Sequence, residues 1–154
     1  MPDDDRFVHQ TVTIKSSPDV VFNALTRADE LTRWFPTKAE SDPRPGGSFN
    51  YTWEFADASQ NGSQQGQYLE FAPNSRLSYT WTADSILTLV TFDLTESDGE
   101  TTVELDHSSM QPGADTEKLH DMHASQWEDY LANLKTYLEE DIDLRREKLN
   151  QVVL

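Results

Sequence analysis

A chain of 154 residues suits one domain with one core; only 36% of it is apolar, but four Trp, five Tyr and seven Phe can fill that core or line a cavity in it. Its 28 Asp and Glu against 12 Lys and Arg give a formal net charge of −16, which argues against nucleic-acid and anionic-membrane partners, since both need clustered cations. The lack of Cys excludes disulfides, thiolate catalysis and Cys-based metal sites, and no run approaches the roughly 18 apolar residues of a membrane span.

The start, Met1-Pro2-Asp3-Asp4-Asp5, is the opposite of a basic signal-peptide region, so a cytoplasmic location is expected. The sequon-like Asn61-Gly62-Ser63 then reads as turn chemistry. Acidic residues are scattered along the whole chain. Two readings of this stay open, adaptation to high salt (a halophile's protein) or an ordinary acidic cytosolic protein.

Phe7 to Ile14 alternates, with Val8, Val12 and Ile14 on one side and Thr11 and Thr13 on the other, as a half-buried strand does. Ser17 is placed to cap a helix that begins at Pro18 and repeats Val21, Phe22 and Leu25 at helical spacing. A second short helix is expected from a cap at Asp29, carrying Leu31, Trp34 and Phe35 and closed by Pro36. From Phe49 the period drops to two: Phe49, Tyr51, Trp53 and Phe55 put four large rings on one face, which something must cover. Asn61-Gly62 marks a hairpin whose return strand runs from about Gln65 to Phe71. After Pro73-Asn74 come Leu77, Tyr79 and Trp81, then strands from about Ile86 to Thr95 and, past Asp98-Gly99, from about Thr101 to His107. Asp115 to Glu140 lacks Gly and Pro and aligns His120, His123, Trp127, Tyr130, Leu131, Leu134 and Leu138 in one stripe, predicting a helix about 37 Å long. Residues 1–140 are read as the domain, and residues 141–154 either extend its last helix or fold back as an arm.

Five phrases in this order carry a resemblance: Ser17-Pro18-x-x-Val21-Phe22-x-Ala24-Leu25-Thr26, Leu31-x-x-Trp34-Phe35, Arg44-Pro45-Gly46-Gly47-x-Phe49, the run from Gly66 through Tyr68, Glu70, Pro73, Arg76 and Leu77 to Tyr79-x-Trp81, and Trp127-x-x-Tyr130-Leu131-x-x-Leu134. Together they resemble the activator-of-heat-shock-protein-90-ATPase homologue family of the START and birch-pollen-allergen (SRPBCC) superfamily. The resemblance implies an α+β helix-grip fold. In it a curved antiparallel sheet of six or seven strands, with two short helices after the first strand, holds a long C-terminal helix over its concave face. It also implies a cavity between sheet and helix. Gln126 stands where family members commonly carry Gly, which implies a wider gap, a polar group pointing into it, or a side chain facing water.

The residues expected to line that cavity are Trp34, Phe35, Phe49, Tyr51, Trp53, Tyr79, Trp81, His107, His123, Trp127 and Tyr130, a mostly apolar set with a few polar groups, as ligand pockets usually have. The competing reading is a core in which these rings simply pack. His107 shares a strand face with Val103 and Leu105 and is expected to point inward, either as an acid, base or ligand contact or as a hydrogen-bonded structural histidine. His120 and His123, on one helix face with Glu117, make with His107 the one conceivable metal cluster, but no third ligand at a fixed spacing accompanies them, and no metal or cofactor is assigned. Ser108 and Ser109 beside His107 do not make a nucleophile and base, because neighbours on a strand face opposite ways. Gly46-Gly47 has the spacing of neither nucleotide fingerprint. Arg44 and Arg76, scarce cations in an anionic chain, either attract an anionic ligand group or, the favoured reading, make structural ion pairs.

The leading functional reading is therefore a non-enzymatic module binding a hydrophobic, aromatic or lipid-like small molecule. The resemblance implies two others, a chaperone-associated interaction module related to the heat-shock-protein-90 ATPase activator and a cyclase- or dehydratase-like enzyme using Tyr51, Tyr79 and His107. Leu87 and Leu89, on the strand face opposite Ile86 and Val90, together with the apolar C-terminal stripe, suggest a homodimer.

Overall fold

The first alternating run forms β1 (Arg6–Ile14), and Pro18 opens α1 (Pro18–Thr26) with Ser17 at its N-cap. Next come α2 (Ala28–Leu31) and six strands, β2 (Lys38–Ser41), β3 (Ser48–Trp53), β4 (Gly62–Ala72), β5 (Arg76–Ala83), β6 (Ile86–Ser97) and β7 (Glu100–Ser109), before the long α3 (Thr116–Glu140). This computed structural model describes residues 6–55, 61–83, 85–111 and 113–145. All seven strands join one antiparallel sheet in the order β1-β7-β6-β5-β4-β3-β2. The architecture is a helix-grip fold.

Three local expectations need correction. The N-cap of α2 is Arg27, whose carbonyl accepts from Leu31 N–H at 2.8 Å, so Asp29 lies in the first turn, where its carboxylate suits the helix dipole. That helix also stops at Leu31, leaving Trp34 and Phe35 in the tighter turns that follow. His120 is exposed instead of joining the buried stripe of α3, which consists of Leu119, Trp127, Leu131, Asn133 and Leu134. The strand β2 had no apolar alternation to announce it: four largely polar residues pair with β3 from Lys38↔Thr52 to Ser41↔Phe49 at the sheet edge.

Register irregularities bend the sheet. One near Arg6 and Val8 lets both Phe7 and Val8 turn inward, and another lies between Tyr68 and Phe71 on β4. Gly66 faces Phe49 across β3 and β4, and a Cβ there would strike the Phe49 ring and the Thr80 carbonyl, so the missing side chain lets that ring lie against β4.

The helix α3 starts on Asp115, whose carboxylate accepts from Lys118 N–H at 3.0 Å, and stops at Asp141 in the left-handed conformation (φ 56°). It is stapled along β1: Gln10 Nε2–H donates to the Ala124 carbonyl (2.7 Å), His120 Nδ1–H to the Phe7 carbonyl (2.7 Å) and Lys135 Nζ to the Thr13 carbonyl (2.6 Å). These fastenings all fall on the β1 side, and the flank of α3 toward β3 and β4 carries the opening described below. Past Asp141 the chain reverses, with Leu144 N–H donating to Asn133 Oδ1 at 2.6 Å. Residues 146–154 of the expected extension or arm lie outside the described residues.

Candidate ligand-binding cleft

The site is built around the corner that follows α2. Trp34 is fixed by its indole N–H donating to the Ala24 carbonyl (2.8 Å), and its own carbonyl accepts from Asn133 Nδ2 (2.8 Å). Arg145 closes the corner with all five of its N–H groups: Nη1 donates to the carbonyls of Phe35 and Pro36, Nη2 to the Thr32 carbonyl and Asp143 Oδ2, and Nε to Asp143 Oδ1, at 2.6 to 3.0 Å. A buried guanidinium thus supplies the donors that the carbonyls ending a short helix lack, and Asp143 neutralises it. Phe35, held in place, is the hub of the aromatic cluster, with ring centroids of Trp34, Tyr51, Trp53, Trp81, Trp127 and Tyr130 at 4.7–5.9 Å.

Beside this hub a cleft of about 680 Å³ opens between α3 and the start of the β3–β4 ribbon. Of the eleven residues expected to line a cavity, Phe35, Trp53, Trp81, His123, Trp127 and Tyr130 line this cleft. Trp34, Tyr51, Tyr79 and His107 lie beneath, at most 2% exposed, in close-packed core. Phe49 borders a separate hollow of about 500 Å³ with Glu40, Asp42 and Gln65. The stripe therefore divides between packed rings and rings that meet open space. Gln126 is exposed at the cleft, as is Asp129.

The hydrogen-bond directions around His107 follow from donor chemistry. Trp127 Nε1–H can only donate, so His107 Nδ1 accepts it (3.0 Å); Nε2 then carries the proton and donates to Thr88 Oγ1 (2.7 Å), whose own proton goes to the Trp81 carbonyl (2.6 Å). Burial, reinforced by His123 nearby, holds the His107 pKa well below the ordinary 6.5, so the ring is neutral. His123 donates Nδ1–H to the Leu119 carbonyl (2.9 Å). The three histidines of the conceivable metal cluster thus each commit a ring nitrogen to another partner, and no group of three metal-ligating side chains comes together among the described residues. Ser109 Oγ donates to the Gln111 carbonyl (2.9 Å), away from any nucleophile role with His107.

Burial, the largest effect on each, raises the phenols of Tyr51, Tyr79 and Tyr130 above their ordinary value, so all three keep their protons. Arg76 binds Glu70 and Asp93, both at 2.6 Å, and Arg44 binds Asp42 at 2.8 Å. Sequence reasoning passed over Asn133 and Arg145. Asn133, a polar residue between Tyr130 and Leu134 in the apolar stripe, was a visible signal; Arg145, five residues past the helix, carried none.

A curved antiparallel sheet gripping a long C-terminal helix beside an aromatic-lined cleft defines the class, a helix-grip protein. Within that class, the chain belongs to the activator of Hsp90 ATPase homolog 1-like protein family, whose pattern matches residues 15–139. Similar solved structures include MLL2253 from Mesorhizobium loti, 25% identical with a TM-score of 0.69, covering 88% of this chain and 99% of that one. The Aha1 dimer from Colwellia psychrerythraea is 21% identical with a TM-score of 0.69, covering 86% of this chain and 96% of that one. DynU16, from the dynemicin biosynthetic locus, is 23% identical with a TM-score of 0.72; the match covers 87% of this chain but 47% of DynU16, so the chain spans about half that protein's length. A comparison with curated proteins found no match. Among the described residues no helix is long and apolar enough to cross a membrane.

Proposed function

We propose that this chain is a binding module for a flat, hydrophobic small molecule seated in the cleft between α3 and the β3–β4 ribbon. The observation that carries this reading is the division of the aromatic cluster: Trp34, Tyr51 and Tyr79 are buried in the core, yet Phe35, Trp53, Trp81, Trp127 and Tyr130 meet about 680 Å³ of open space. The neutral, fully hydrogen-bonded His107 favours binding over acid–base catalysis, since both its nitrogens are engaged. The interaction-module and cyclase- or dehydratase-like readings rest on kinship alone. Association of two copies is supported by Leu69 and Leu87, 44% and 47% exposed, and by a structural relative solved as a dimer.

Titration with fluorene, followed by tryptophan fluorescence, tests the proposal. Saturable quenching is expected, and Ala132→Phe, which adds a ring at an exposed position lining the cleft, should weaken it severalfold without altering the circular dichroism. Unsaturable quenching, or the same affinity in the variant, would refute it.

A further inference from the structure

The charges bordering the cleft do not balance. Arg145 is the one Lys or Arg side chain in the lining, and its five N–H groups all go to three backbone carbonyls and Asp143, whose carboxylate cancels its charge. Asp129 borders the same opening and makes no hydrogen bond or ion pair among the described residues. Helical spacing brings it there: Gln126, Asp129, Tyr130 and Asn133 recur at i, i+3, i+4 and i+7, one face of α3, and all four border the cleft. Burial is the largest influence raising the Tyr130 phenol, and Asp129 adds to it, as a carboxylate near that hydroxyl should. His123, six residues before Asp129, turns Nδ1 to the Leu119 carbonyl instead. One carboxylate at the cleft is thus left without a counter-ion.

The rest of the lining suits the opposite charge. Trp53, Trp81 and Trp127 border the opening with Phe35 and Tyr130, and the face of an aromatic ring, an indole above all, attracts a cation. The net charge of −16 adds a field that concentrates cations at the surface and repels anions. A carboxylate or phosphate would lose hydration in the cleft and find no uncommitted Lys or Arg donor in its lining among the described residues.

We infer that the occupant is an organic cation, a flat hydrophobic body packed on Phe35, Trp81 and Trp127 with an ammonium group held at the mouth of the cleft beside Asp129. This rests on the binding-module reading and deepens it by giving the ligand its charge. Asp129 is exposed, so the ammonium keeps part of its hydration while the skeleton is buried against the rings.

Fluorene-9-methanol, fluoren-9-ylmethylammonium and fluorene-9-carboxylate share one skeleton and differ in charge, so titration calorimetry at neutral pH and low salt decides the matter. The ammonium should bind about tenfold tighter than the alcohol, and the carboxylate should bind weakest. Asp129→Asn, at an exposed helix position, should bring the ammonium-to-alcohol ratio down severalfold with an unchanged circular dichroism spectrum. Glu104→Gln, which removes the same charge from an exposed strand position outside the cleft, should leave the ratio as it was and so separates Asp129 from the field of the whole chain. Equal binding of ammonium and alcohol, tightest binding by the carboxylate, a ratio untouched by Asp129→Asn, or an equal fall in both variants would overturn the charge assignment, while binding of the alcohol would still uphold the cleft. Binding by none of the three would overturn both.

Discussion

At the residue scale the tightest constraint falls on His107, because Trp127 fixes Nδ1 as an acceptor and Thr88 takes the proton on Nε2. Protonation would set two donors against each other across the Trp127 contact and place a charge in a core position that is 0% exposed. The folded-state pKa is depressed below the unfolded value of 6.5, so the unfolded chain binds the proton more readily. The stability owed to neutral His107 is fully present above pH 6.5 and is lost as pH falls from there toward the depressed folded value. His107→Gln, which can accept from Trp127 and donate to Thr88 without titrating, should show a shallower fall in melting temperature between pH 7 and pH 5 than the unaltered protein. Parallel curves would contradict this. The inward direction of His107 was legible in the alternation with Val103 and Leu105. Its partners were not, because Thr88 and Trp127 are brought to it by the β6–β7 register and by the seating of α3, neither of which leaves a local pattern.

Among the elements, the short return after α3 does more than close the chain. Arg145 and Asp143 tie the end of that helix to the corner at Thr32–Pro36, and the corner presents Phe35 to the cleft. Arg145→Met keeps much of the side-chain volume but leaves three carbonyls without their donors and Asp143 without its counter-charge, though still bonded to Asn133 Nδ2–H and the backbone N–H of residue 145; it should cost about 2 to 3 kcal/mol in chemical denaturation. A loss below about 0.5 kcal/mol, the scale of ordinary surface substitutions, would show that the corner holds without the latch. The long elements were readable because period and length agree in them: β1, the ring-bearing β3 and the uninterrupted α3 each follow one periodicity for most of their span. The four-residue elements α2 and β2 were misjudged or missed, since four residues hold about one helical turn or two strand repeats, and β2 is defined by its partner Phe49–Thr52.

For the molecule as a whole, a net charge of −16 opposes any encounter of two copies at low ionic strength, while Leu69 and Leu87 offer apolar surface for one. Light scattering should therefore find a monomer mass at low salt and a growing dimer fraction toward molar salt; a monomer throughout would remove the homodimer. The helix-grip architecture was legible from five phrases and the order of periodic runs. The cleft was legible only as a stripe of rings, because the sequence does not show where α3 stands away from the sheet; that follows from its fastening along β1 by Gln10, His120 and Lys135. The most direct test of the cleft as a binding site is an amide-and-indole ¹H–¹⁵N spectrum, in which the four tryptophans report separately, recorded with and without saturating fluorene. The indole signals of Trp53, Trp81 and Trp127 should move, while that of Trp34, bonded to the Ala24 carbonyl in the core, stays near its free position. Four unmoved signals, or a Trp34 shift as large as the other three, would contradict the account.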